Sequence, residues 1–160
     1  MVLLAQSKQE GLMRQSIWQM MLLNQTKKGN EMLLYITLGT NDLERSKRFY
    51  DPVMGTLGFA RHVTRSDEIG YGPIAVTSEA RSCFVWITQP FLKLPATWGN
   101  GTLIAMPAAS HEAVKAFYAA AIANGGLGDG EPGLRPYHAK FYSCYVRDPD
   151  GNKLSAVCEV

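Results

Sequence analysis

The chain has 160 residues, of which 46% are hydrophobic and 19% are charged. This is enough apolar material for one domain with a packed core, and too little chain for two domains of ordinary size. Sixteen basic and fourteen acidic residues give a net charge of +2 without a basic run, so nucleic acid is not an expected partner.

No targeting or membrane segment is apparent. The start of the chain lacks the pattern of a secretory leader, and no stretch approaches the roughly 20 apolar residues that cross a bilayer. The three cysteines, Cys83, Cys144 and Cys158, are odd in number, lack CxxC spacing and lie in apolar runs typical of core thiols. We therefore expect a cytoplasmic protein that has no membrane partner.

Residues 1–31 differ in composition from the rest of the chain, being rich in Gln, Lys, Met and Asn. Apolar residues from Leu12 to Met21 recur at roughly helical spacing. We interpret 1–31 as an N-terminal extension, either helical or disordered, and 32–160 as the domain.

The first half of the domain predicts a strand, a helix and further short strands. The apolar run from Met32 to Gly39 indicates a strand buried on both faces. Asp42 and the two residues before it offer N-capping oxygens for a helix that ends near Gly58, with a kink or break at Pro52. The segments FARHV, IGYG, PIAVT and CFVWIT then predict strands.

The second half predicts the same order of elements. TLIAMP is a strand, Ser110 caps a helix, and Asn124, Gly125 and Gly126 end it. The Gly- and Pro-rich segment LGDGEPGLRPYH is predicted to be a loop. KFYSCYV and KLSAVCEV, joined by DPDGN, then predict a terminal antiparallel hairpin.

The two halves are copies of one module. Shifting the chain by 68 residues without gaps brings identical residues into register at matching places of the predicted elements. The matched pairs are Ile36 with Ile104, Lys47 with Lys115, Phe49 with Phe117, Tyr50 with Tyr118, and Gly58 with Gly126.

These segments resemble the vicinal-oxygen-chelate superfamily of glyoxalases, bleomycin-resistance proteins and extradiol-dioxygenase-like proteins. ITLGTNDLERSKRFYDPVMGTLGF resembles the opening of its first module, GNGTLIAM and AVKAFYAAAIANGG that of its second, and YVRDPDGNKLSAV its closing hairpin. The resemblance implies an α+β fold of two tandem βαββ(β) modules, about 32–92 and 100–160. It also implies that the modules form a curved mixed sheet around a cleft that holds a small-molecule site.

Metal-dependent members of this family place His, Glu or Gln ligands on the first and last strands of each module. Those positions fall here at Tyr35, Leu103 and Ser155, and in the first module's last strand near Trp86 and Ile87. A divalent ion needs roughly four to six N, O or S donors, which these side chains do not supply. We therefore predict no metal cofactor.

The resemblance, combined with these substitutions, predicts a protein that binds a small organic molecule in an aromatic cleft without the family metal. The predicted ligand-binding residues are Tyr35, Trp86, Tyr137, His138, Tyr142 and Ser155. His138, at a loop-to-strand junction, is also the one candidate catalytic residue, as a general base.

Two alternatives remain open at the level of sequence. One is a metal-dependent lyase or dioxygenase whose ligands have moved to donors such as His138. The other is a catalytically idle domain kept for dimerisation. The resemblance also implies a homodimer, because members of the family often pair their modules across two chains.

Overall fold

Each half of the duplicated sequence builds one four-stranded sheet and one helix. The computed structural model describes residues 33–76 and 82–160, so the prediction for 1–31 lies outside the described residues. Tyr35–Val160 forms one compact unit. Its elements are β1 Ile36–Gly39, α1 Leu43–Gly55, β2 Phe59–Thr64, β3 Glu68–Pro73, β4 Val85–Thr88, β5 Ile104–Pro107, α2 His111–Ala123, β6 Leu127–Leu134, β7 Tyr142–Arg147 and β8 Lys153–Cys158.

The two sheets have the same topology. Their strand orders are β1-β4-β3-β2 and β5-β8-β7-β6. In each sheet the first strand pairs in parallel with the last, and the other neighbours are antiparallel. The predicted α+β fold of two tandem modules with mixed sheets is therefore confirmed.

The structure also reproduces the 68-residue offset found in the sequence. β5 and α2 begin and end 68 residues after β1 and α1. Asp42 and Ser110, one offset apart, each cap a helix by accepting a hydrogen bond from the backbone N–H three residues on, at 2.9 and 3.2 Å. The same capping chemistry therefore starts the helix in both modules.

Each helix covers one face of its own sheet, and the two helices pack against each other. Phe49 and Tyr50 of α1 and Val114 and Phe117 of α2 are fully buried in one continuous core. Each such side chain contributes on the order of 1.5–3 kcal/mol by leaving water. Among the described elements, no strand of the first sheet contacts a strand of the second, so the helices link the two modules.

The turn between β7 and β8, residues 148–152, forms a second link between the modules. Asp150 accepts hydrogen bonds from the hydroxyl of Thr40 at 2.7 Å and from the backbone N–H of Asn41 at 3.0 Å. Tyr50 donates to the carboxylate of Asp148 at 2.6 Å, and the amide of Asn152 donates to the carbonyl of Gly39 at 3.0 Å. Burial raises the pKa of Asp148, although the hydrogen bonds that its carboxylate accepts from Asn152 and Tyr50 oppose this rise.

The first strand is shorter and less buried than predicted. β1 begins at Ile36, and the side chains of Leu33 and Leu34 before it are exposed. The expectation of burial on both faces is wrong, because β1 lies at the edge of its sheet and only Leu38 is buried.

The segment predicted to be a loop, LGDGEPGLRPYH, supplies β6, so that prediction is wrong. β6 is an edge strand, where Gly and Pro are tolerated. Pro132 lies in an irregular stretch of the pairing between Gly130 and Gly133. Gly128 lies directly beneath the hydroxyl of Tyr118, so a side chain at this position would have to displace the Tyr118 ring.

One further local prediction differs from the structure. PIAVT is predicted to be a strand, but β3 ends at its first residue, Pro73, and residues 74–76 turn. α1 continues through Pro52 and ends at Gly55. Pro52 has no N–H to donate to the carbonyl of Arg48, and the helix ends three residues later, close to the predicted break. No helix among residues 33–76 and 82–160 is long and apolar enough to span a membrane.

Candidate functional site

The candidate site lies on the face of each sheet that is turned away from its helix, which we call the helix-free face. Leu154, Ala156 and Cys158 of β8 belong to the core, so strand alternation places Ser155 on the helix-free face. Tyr145 of β7 lies directly opposite Ser155 in the ladder. The neighbouring pair on the same face is Arg147 and Lys153.

Two cations lie close to the ring of Tyr145. The guanidinium carbon of Arg135 is 5.0 Å from the ring centroid, and Nζ of Lys153 is 5.2 Å away. Nε of Arg135 also donates to the hydroxyl of Ser143 at 3.3 Å. Cations at this distance are attracted by the negative face of an aromatic ring, which fixes the orientation of Tyr145.

A second group of contacts continues along the same face. Nε of Arg147 and Nζ of Lys153 each lie 3.1 Å from the same carboxylate oxygen of Asp129. The hydrogen bond from Lys153 is the main cause of the lowered pKa of Asp129. The guanidinium of Arg147 also lies 5.2 Å from the ring centroid of Trp98, a residue of the segment that joins the modules.

A cavity of about 300 Å³ opens beside these residues. It is lined by residues 99–103 together with Arg147 and Lys153. Leu103, which the resemblance predicts to stand at a metal-ligand position of the family, therefore lies in its wall. The volume is at the lower end of the range found for small-molecule pockets, about 300–1,000 Å³.

Ser155 is fully buried, and its hydroxyl has no hydrogen-bond partner among the described residues. A buried hydroxyl without a partner costs about 1–3 kcal/mol. Because the side chain has no exposed surface, it reaches a ligand only if the side chains around it move.

The first sheet presents Trp86 at the equivalent position. Thr37 of β1 pairs with Trp86. Its counterpart in β5, Ala105, lies 68 residues further on and pairs with Ser155. Of the two residues that sequence suggested, Trp86 therefore occupies this position on the helix-free face, whereas Ile87 is buried in the core. A guanidinium, that of Arg65, lies 5.9 Å from the Trp86 ring centroid.

The remaining predicted residues lie in three different places. Tyr35 precedes β1 and is exposed. Tyr137 and His138 lie in the turn before β7, where Nε2 of His138 is 2.8 Å from a carboxylate oxygen of Glu159. Tyr142 stacks on His111 of α2 with ring centroids 3.9 Å apart, and so lies on the helix side of the sheet.

The structure therefore does not bring all six predicted residues together. No described contact joins Tyr35 or Trp86 to Ser155, and Tyr142 lies on the opposite face from Ser155. Sequence reasoning missed Tyr145, Arg147 and Lys153. The signal was present, because a hairpin closed by DPDGN pairs residues symmetrically about that turn and places Tyr145 opposite Ser155.

The donors available for a metal ion are few. Among residues 33–76 and 82–160, no three His, Cys, Asp or Glu side chains form a group that could hold an ion. His138 and Glu159 make a pair of donors. The residues that the resemblance places at the family's ligand positions carry a phenol, an indole, an alkyl group and a hydroxyl, and this set does not fit a divalent ion.

The fold and the sequence identify the family. The profile of the Glyoxalase/Bleomycin resistance protein/Dioxygenase superfamily matches residues 32–155. This chain belongs to that superfamily. Among curated proteins, none matches this sequence.

Several solved structures share the fold. A glyoxalase/bleomycin resistance protein from Albidiferax ferrireducens T118 is 40% identical, with a TM-score of 0.71 over 81% of this chain and 100% of that one. A glyoxalase-related enzyme from Fulvimarina pelagi is 20% identical, with a TM-score of 0.63 over 81% and 88% of the two chains. Lactoylglutathione lyase from Agrobacterium tumefaciens is 17% identical, with a TM-score of 0.56 over 82% and 96%.

Proposed function

We propose that this chain binds a small organic molecule on its helix-free faces without using a metal ion. The observation that carries this proposal is the chemistry of the four family positions, Tyr35, Trp86, Leu103 and Ser155. Two are aromatic, one is aliphatic and one is a buried hydroxyl. Aromatic surface with a few polar groups is typical of sites that hold an organic ligand by shape.

The donor set supports a function without a metal. Glyoxalase and dioxygenase reactions use the ion to polarise substrate oxygens or to activate dioxygen, a contribution of several kcal/mol. A phenol and a hydroxyl do not replace it. The alternative of a relocated ion at His138 has two donors, His138 and Glu159, where roughly four to six are needed.

The second sheet supports a ligand site most directly. Its helix-free face combines the oriented ring of Tyr145 with the cavity beside Leu103. Tyr145, oriented by Arg135 and Lys153, loses little freedom when a ligand binds. Trp98, across Arg147, adds a second aromatic surface.

We also propose that the working form is a homodimer. Within one chain the two sheets do not touch among the described elements, so one molecule does not enclose a ligand between both helix-free faces. A second copy could place one of its helix-free faces opposite. Sedimentation velocity should then show a dimer, and a monomer at every concentration would contradict the proposal.

One observation favours the second candidate function, an idle dimerisation domain. In the second sheet, Ser155 is covered by the chain itself. In the first sheet, the side chains of Cys83 and Trp86 cover Gly70, because a Cβ added there would lie 2.8 and 3.0 Å from their atoms. Parts of both helix-free faces are therefore already filled. This reading predicts a dimer that binds no small molecule.

Elemental mass spectrometry tests the absence of a metal. The protein is produced in medium supplemented with manganese, iron, cobalt, nickel and zinc, and purified without chelators. We expect no stoichiometric ion. An ion that is present and is lost in Ser155→Ala would overturn the proposal, and one lost in His138→Ala would establish the relocated site.

Amide ¹H–¹⁵N spectra recorded with a fragment collection test ligand binding. We expect shifts to cluster on β7, β8 and residues 99–103. Tyr145→Ala should weaken binding, whereas Ile122→Ala, which removes an exposed apolar side chain on α2, should not. No binding by any fragment, together with a dimer in solution, would favour the idle domain.

A further inference from the structure

Two cations of the second sheet stand side by side at the cavity. Arg147 and Lys153 are direct neighbours across the β7–β8 ladder and both line the cavity of about 300 Å³. Their side chains are 31% and 29% exposed, so they are partly shielded from solvent yet reachable from it. Like charges directly opposite on a sheet repel unless a negative group lies between them.

Within the described part of the chain, Asp129 is the negative group that pairs with both cations. A single carboxylate oxygen of Asp129 lies 3.1 Å from both Arg147 and Lys153. The two cations and this carboxylate leave an excess of one positive charge. The guanidinium of Arg147 has five N–H donors, and its described polar partners are Asp129 and the carbonyl oxygen of Gly151, at 3.0 Å. Donors of Arg147 therefore remain for a bound molecule.

We propose that the cavity beside Leu103 binds the anionic group of the ligand, a carboxylate or a phosphate-type group, through Arg147 and Lys153. This inference rests on the proposed function and names the class of molecule that the site takes. A planar guanidinium beside an ammonium group can contact two oxygens of one anion.

The surroundings of the cavity define the rest of the ligand. Leu103 is 41% exposed in the cavity wall, and the ring of Trp98 lies against Arg147 beside the lining residue Gly99. Trp98 also packs closely on the β7–β8 turn, because a Cβ added at Gly151 would lie 3.0 Å from the Trp98 side chain. An apolar or aromatic body attached to the anionic group fits these surfaces.

Binding of simple probes tests the inference. Benzoate and phenylphosphonate carry the two classes of anion on the same ring, and benzamide is the neutral counterpart of benzoate. In ¹H–¹⁵N titrations at low salt, we expect one or both anions to shift the amides of Leu103, Arg147 and Lys153 with saturation. The anion that binds more tightly identifies whether the site takes a carboxylate or a phosphate-type group. Benzamide should bind at least about tenfold more weakly than benzoate.

Four variants test the assigned residues. Arg147→Gln and Lys153→Gln should each weaken anion binding about tenfold, because each removes a charged donor. Asp129→Asn should strengthen binding, because it removes the carboxylate that competes for both cations. Lys115→Gln, an exposed position on α2, changes the net charge equally and should leave the affinity unchanged. The amide spectrum of each variant reports directly whether it folds.

The possible failures are distinguishable. Equal binding of benzoate and benzamide, or anion binding that persists in both Arg147→Gln and Lys153→Gln, would overturn the anionic class and leave small-molecule binding intact. Anions that fail to bind while neutral fragments occupy the cavity would overturn it as well. If no fragment of any charge bound a helix-free face, the proposed function and this inference would fall together.

Discussion

Replacing Asp150 by alanine tests whether the β7–β8 turn holds the two modules together. The Asp150 side chain is 2% exposed. Its Oδ1 accepts from the backbone N–H and side-chain amide of Asn41, both at 3.0 Å, and from Arg45 at 2.7 Å. Its Oδ2 accepts from the hydroxyl of Thr40 at 2.7 Å. All of these donors belong to the first module, whereas Asp150 belongs to the second.

The expected loss is smaller than the sum of four hydrogen bonds to a charged acceptor. The Thr40 hydroxyl keeps a partner in Ser46 at 2.7 Å, and the Asn41 side chain keeps the carbonyl of Ala96 at 3.1 Å. Arg45 is 40% exposed and is rehydrated by water. We therefore expect Asp150→Ala to lower the free energy of unfolding by about 3 kcal/mol.

Urea denaturation followed by far-ultraviolet circular dichroism measures this change. Asp150→Asn keeps the shape and loses the charge, and should lose about 1–2 kcal/mol. Glu44→Ala is the matched control, since Glu44 is 71% exposed and pairs with Lys47 within the first module, and it should change stability by less than about 0.5 kcal/mol. If Asp150→Ala were no more destabilised than Glu44→Ala, the reasoning about this link would be refuted.

Three further predictions follow from individual residues. Burial alone would raise the pKa of Asp150, but its hydrogen-bond donors together lower it. The free energy of unfolding by which the wild-type protein exceeds Asp150→Asn should therefore be full above about pH 4 and should shrink as the pH falls through the lowered pKa. Urea titrations at several pH values measure this difference. Gly126→Ala should cost more than about 2 kcal/mol, since its Cβ would lie 2.7 Å from the Phe49 ring and 2.8 Å from a backbone oxygen. A Cβ added at Gly55 would have nothing within 4 Å, so Gly55→Ala should raise the free energy of unfolding by about 0.5–1 kcal/mol. If both glycine variants changed stability in the same direction, the packing argument would be contradicted. Cys144 is fully buried and burial raises its pKa, so iodoacetamide should label it in guanidinium but not in the native protein, as peptide mass mapping would show.

Local sequence signals were sufficient for much of the fold. Asp42 and Ser110 begin helices because a side-chain oxygen can satisfy a free backbone N–H three residues on, and this needs no distant partner. The buried stripe from Phe49 to Met54 follows from helical periodicity. The core positions of Cys144 and Cys158, expected from their apolar surroundings, are confirmed.

Other elements depend on their position in the sheet. β6 carries four of the residues that usually indicate a loop, Gly128, Gly130, Pro132 and Gly133. It is nevertheless a strand, because it pairs with β7 on one side and no described strand pairs with its other side. Propensity therefore gave the wrong answer where the sheet tolerated poor strand formers.

The sequence by itself determined the duplication, the two capped helices, the terminal hairpin and the family, because each is carried by residues close together in the chain. The resemblance also predicts that Tyr35, Leu103 and Ser155 stand at the family's metal positions, and this stays a prediction. The tertiary structure alone placed Asp150 on Asn41, 109 residues away, and Trp98 on Arg147 beside the cavity. Contacts between distant segments depend on how the modules pack, and no local pattern of residues encodes that packing.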